Sequence, residues 1–124
     1  MIDWIDEKLR AWGRAKHRLI ADKEPYPPSI LGKIKDYGMA VQDGSCFQHF
    51  REGMTGDALD ASLALFRAMH ARKMTDRQYE VVFVHYACRG HSVMEKLRAL
   101  GYERRASYYE CLDRAQTTLC EHFQ

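Results

Sequence analysis

The sequence predicts an all-α fold: a small helical domain containing a helix-turn-helix, with a proline- and glycine-rich connection after the first helix. Three observations carry this. Apolar residues recur at helical spacing in the first twenty positions. Two Ser/Thr-x-x-Gln/Glu capping patterns open segments at Thr75 and Ser92. Gly101 then separates a short apolar segment from a longer one with a single apolar stripe.

At 124 residues the chain fits one domain, 1–124. Residues 1–56 form its first helix and an irregular connection, and 57–124 its helical core, with the helix-turn-helix at about 75–120. A helix is expected over residues 3–20: Ile2, Ile5, Leu9 and Trp12 recur at helical spacing, followed by Leu19 and Ile20, with Asp3, Asp6 and Glu7 at the first turn, where the helix dipole favours acids. Gly13 counts against the middle of this helix. Pro25, Pro27 and Pro28 stop it, and glycines punctuate the connection that follows. Residues 57–73 resume a helix, with Asp57 as its expected N-cap and Leu59, Leu63, Phe66 and Met69 or His70 as its apolar stripe.

Thr75 and Gln78 match a capping box. The run Tyr79 to Tyr86 contains Val81-Val82-Phe83-Val84, which alone also reads as a strand; the cap and the neighbouring helices decide for helix. Cys88-Arg89-Gly90 breaks it. Ser92 and Glu95 form a second expected capping box, and Gly101 closes that short helix. The last helix runs from Arg104 to about Glu121, with Tyr108, Leu112, Ala115 and Leu119 inward.

Composition narrows the functional classes. Hydrophobic residues are 46% and charged residues 29%, the balance of an ordinary globular domain. No apolar run approaches 18 residues, so no membrane partner is expected. The acidic start does not suit a secretory signal, and the four cysteines are expected to be reduced thiols in a cytoplasmic setting. The net charge is only +2, but it is unevenly placed. Residues 8–35 hold eight Lys/Arg against two acids, and residues 67–105 hold nine against four. Such segments suit a cationic face for double-stranded DNA, although solvated helix surfaces give the same pattern.

In a helix-turn-helix the second helix presents its N-terminal residues to base edges. Arg104, Arg105 and Ser107 therefore become candidate DNA-reading residues, and Arg89 and Lys96 candidate phosphate holders. An αα-hairpin followed by a third helix is the structural alternative. Cys46-x-x-His49 and Cys88-x-x-His91 are two pairs with spacing that zinc could use. Buried thiols with surface histidines are the plainer reading, so no cofactor is expected. No nucleophile elbow, phosphate loop or His-Glu-x-x-His pattern is present, and no enzyme activity is expected.

The segment Asp76 to Leu119 resembles the C-terminal part of phage Q-type late antitermination proteins, itself similar to region 4 of sigma factors. The resemblance rests on His85-Tyr86, Gly90, Ser92, Leu100-Gly101, Tyr108-Tyr109 and Leu112-Asp113-Arg114-Ala115. Trp12-Gly13-Arg14, followed by prolines, adds to it. The pattern departs at Glu103, where a Ser or Thr is common. The resemblance implies binding to DNA near a late promoter through residues 104–108, Tyr108 included, and engagement of bacterial RNA polymerase, with or without its sigma factor, so that the modified polymerase reads through terminators. The N-terminal basic helix and the 21–56 connection would then contact polymerase or nascent RNA. A conventional helix-turn-helix repressor or activator is the alternative, and a helical interaction module without DNA stands behind both.

Overall fold

A computed structural model describes residues 2–23, 29–35 and 54–123. Its helices are α1 (Asp3–Lys23), α2 (Ile30–Lys33), α3 (Gly56–His70), α4 (Asp76–Ala87), α5 (Val93–Ala99) and α6 (Arg105–Cys120). No strand occurs among the described residues. The all-α reading holds, including the valine-rich run of α4.

The core forms where α1 packs on α3 and α4, and α4 packs on α6. Ile5, Leu9 and Trp12 of α1 are fully buried, as their spacing required. Trp12 meets Tyr79 and Phe83 of α4 edge-on, with centroids 6.5 and 6.4 Å apart. Val81, Val82, Phe83 and Val84 are all buried, so α4 is wrapped on nearly every side. That explains why its sequence lacks a clean helical period.

Four local expectations need correction. Gly13 is no weak point: it is buried where α1 crosses α4, and a β-carbon there would collide with the backbone of Tyr86. The N-cap of α3 is Thr55, not Asp57, and its side chain makes no capping bond. Asp57 instead accepts from Lys8 Nζ at 3.2 Å, beside Asp60 at 2.7 Å. The deeply buried face of α3 is Ala58, Ala61, Ala64, Leu65 and Ala68; Leu59, Leu63, Phe66 and Met69 lie half-buried at its margins. Small residues win the inner face because α1 approaches closely.

The fourth correction is at Ser92. Thr75 and Gln78 make both bonds of a capping box, whereas Ser92 makes only half of one. Its hydroxyl accepts from Glu95 N–H at 3.2 Å, but the Glu95 carboxylate turns to His91 Nδ1 at 2.9 Å.

A polar tie crosses the apolar core. Tyr86 Oη donates to Asp6 Oδ1 (2.6 Å), and Gln116 Nε2 donates to Tyr86 Oη (2.7 Å). Gln116 Oε1 accepts from Ile2 N–H at 3.1 Å. The start of α1, the end of α4 and the middle of α6 are thus fixed to one another by groups that cannot be left unpaired cheaply.

Candidate nucleic-acid interface

The segment α4–α5–α6 gives a helix of 12 residues, one of 7 and one of 16. The joint between α5 and α6 is built from backbone hydrogen bonds. Gly101 has φ of 78°, and its N–H donates to the Arg98 carbonyl while Tyr102 N–H donates to the Leu97 carbonyl. This is a Schellman closure, which needs a left-handed residue at that position.

Arg77 of α4 seals the joint from above. Its guanidinium donates to the Leu100 carbonyl and lies 4.4 Å from the centre of the Tyr102 ring. Its other contact is Glu80, at 3.7 Å. One of the basic residues of the 67–105 segment is therefore spent on positioning the turn.

At the start of α6, Arg104, Arg105, Ala106 and Ser107 are all exposed. Arg104 is the N-cap residue, and no side chain caps the helix. The first N–H groups of α6 are thus left to solvent or to an incoming acceptor. Tyr108 is different. It is fully buried, and its Oη lies 2.8 Å from His85 Nδ1. The expectation that Tyr108 touches DNA is corrected: Tyr108 opens the inward stripe that continues at i+4, i+7 and i+11 through Leu112, Ala115 and Leu119, so its ring turns onto the core. Tyr109, at 36% exposure, takes the outward place, with its ring edge-on to His85 at 6.1 Å.

Arg89 and Lys96 border a second feature. Arg10 and Arg14 from α1, His85 from α4, Arg89 from the turn and Lys96 from α5 line a cavity of about 400 Å³. Lys96 is buried, and its Nζ donates to the His85 carbonyl at 3.1 Å. Burial first, then Lys33 and Arg89, push its ammonium below the usual lysine range. His85 is drawn down to about 4, chiefly by burial and next by Lys96, and is neutral at pH 7. Burial holds Tyr108 protonated. Two neutral groups thus share this hydrogen bond, and either ring tautomer of His85 completes it.

Arg10 and Arg14 were not among the sequence candidates for this surface. Their spacing offered the signal: Arg10, Arg14 and Arg18 follow one another at i, i+4 and i+8 along one helix face. What no spacing discloses is that this face meets the turn after α4.

Of the candidate zinc pairs, Cys46 and His49 lie outside the described residues. Cys88 is fully buried, and burial pushes its thiol up to about 11, so it is not poised as a thiolate ligand. His91 is already engaged, with Lys33 Nζ at 3.3 Å from Nε2 and Glu95 on Nδ1. No group of three His, Cys, Asp or Glu side chains suits a metal among the described residues. No helix among them is long and apolar enough to cross a membrane.

No family model, curated protein or solved structure matches this chain.

Proposed function

We propose that the protein is a DNA-binding transcription factor of the phage late-antitermination kind, loading onto RNA polymerase from a DNA element beside the promoter. The observation that carries the reading is the start of α6. Arg104, Arg105 and Ser107 stand exposed at an uncapped helix N-terminus, on a helix held by a short partner and a closed turn. Arginine forks pair with guanine in the major groove, and helix N–H groups donate to phosphate oxygens. The resemblance over residues 76–119 supplies the link to polymerase and terminators.

Transcription in vitro tests it. The template carries the DNA flanking the gene, a promoter and a downstream terminator, with purified host polymerase. Read-through that needs the flanking DNA in cis, and that Arg104→Ala with Arg105→Ala abolishes, supports antitermination. Altered initiation with unchanged termination would replace it with a conventional regulator. No effect at either step, and no duplex binding, would leave a helical interaction module.

A further inference from the structure

We propose that the cavity between α1, the turn after α4, and α5 is a binding site for a phosphate group, held by Arg10, Arg14, Arg89 and Lys96. Four cationic side chains from three separate elements converge there, and among the described residues no carboxylate lines the cavity. Like charges gathered this closely repel one another, and the repulsion is relieved when an anion sits among them.

Two further observations point inward. Lys96 is 8% exposed, yet its ammonium meets no carboxylate among the described residues. It has three donors and gives one to the His85 carbonyl. A buried cation without a counter-ion is costly unless a ligand supplies one. Arg10, in turn, is held in place from behind: its Nε bonds Asp6 Oδ2 at 2.8 Å, and Asp6 is itself fixed by Tyr86. That leaves the terminal nitrogens of the Arg10 fork for another acceptor. The imidazole of His85, neutral at pH 7, lies in the same wall and adds no opposing charge.

The chemistry fits phosphate better than carboxylate. A phosphate group brings nearly two negative charges and three acceptor oxygens to several planar forks at once. The cavity of about 400 Å³ lies within the usual range for small-ligand sites and has room for more than one phosphate. Two sources share this chemistry: the backbone of bound DNA and a free phosphorylated small molecule. The DNA source rests on the reading of α6 given above; the free source does not.

The experiment uses the full chain and two probes, inorganic pyrophosphate and duplex DNA of about two helical turns. Each is titrated against the wild type, Arg14→Gln with Arg89→Gln, and Arg104→Ala with Arg105→Ala. Arg14 and Arg89 are exposed, and circular dichroism checks that both variants fold. The expected result is at least a tenfold loss of pyrophosphate affinity in the cavity variant and none in the α6 variant. Unchanged duplex binding by the cavity variant then identifies a free phosphorylated ligand. A salt slope for duplex binding shallower by one to two identifies backbone phosphate, and supports the site even if pyrophosphate alone binds too weakly to measure. If neither pyrophosphate affinity nor the salt slope responds to the cavity substitutions, the site is overturned, whatever α6 does. Pyrophosphate lost only in the cavity variant, with no duplex bound by the wild type, keeps the site and overturns the reading of α6.

Discussion

A β-carbon added at Gly13 would lie 2.1 Å from the carbonyl oxygen of Tyr86 and 2.5 Å from its carbonyl carbon. Both atoms belong to the backbone of α4 and cannot swing aside, so Gly13 sets how closely α1 and α4 approach. Gly13→Ala should therefore destabilise the fold by about 2 kcal/mol, although alanine is the better helix former by about 1 kcal/mol. Urea denaturation measures this, and a stabilised variant would show that the helices can part without loss.

Two helix ends make an opposed pair. α3 closes on Arg72 at φ 58°, with Lys73 N–H donating to the Ala68 carbonyl, and α5 closes on Gly101 at φ 78°. The backbone arrangement is the same, but only one position holds the residue it favours. Arg72→Gly should raise stability by about 0.5–1 kcal/mol, and Gly101→Ala should lower it by about 1 kcal/mol. Thermal melts of the two variants should move in opposite directions.

Removing one oxygen tests the polar tie. Tyr86→Phe keeps the ring but leaves Asp6 and the Gln116 amide without their shared partner. The expected loss is about 1–3 kcal/mol. Hydrogen exchange should quicken at the start of α1 and the middle of α6 together, because one hydroxyl serves both. Faster exchange at only one of them would show that the tie does not couple the two helices.

Stability should fall as the medium is acidified from pH 6.5 towards 4. His85 has its folded-state value lowered to about 4 from an ordinary 6.5, so between those limits the unfolded chain binds the extra proton and folding weakens. His17 is shifted in the same direction, mainly by burial. For His85 the loss at pH 5 amounts to about 1–2 kcal/mol. His85→Gln should flatten this part of the profile of unfolding free energy against pH. An unchanged slope in that variant would assign the acid sensitivity elsewhere.

Local grammar explains what was legible in the sequence. The Thr75–Gln78 box, the Gly101 closure and the Tyr108–Leu112–Ala115–Leu119 stripe each depend on residues a few positions apart, and each is present. Long-range packing reverses other readings. Gly13 reads as a flaw until Tyr86 is seen against it, and Asp57 reads as a cap until Lys8 draws it away. The α3 stripe was read from the largest apolar residues, but close approach to α1 puts alanines inside. The candidate surface followed the same division. Arg104, Arg105 and Ser107 are exposed at the first turn of α6, while Tyr108 fell to the core. The meeting of Arg10 and Arg14 with Arg89 and Lys96 spans most of the chain, and no spacing rule reaches that far.

The two sides of α6 answer to separate demands. Tyr108, Leu112, Ala115 and Leu119 anchor it, while Arg104, Arg105, Ala106 and Ser107 face away from the core. Arg77 fixes the approach to the helix through the Leu100 carbonyl and the Tyr102 ring, without using any of the four outward residues. Substitutions among those four can change what the helix touches while scarcely taxing the fold.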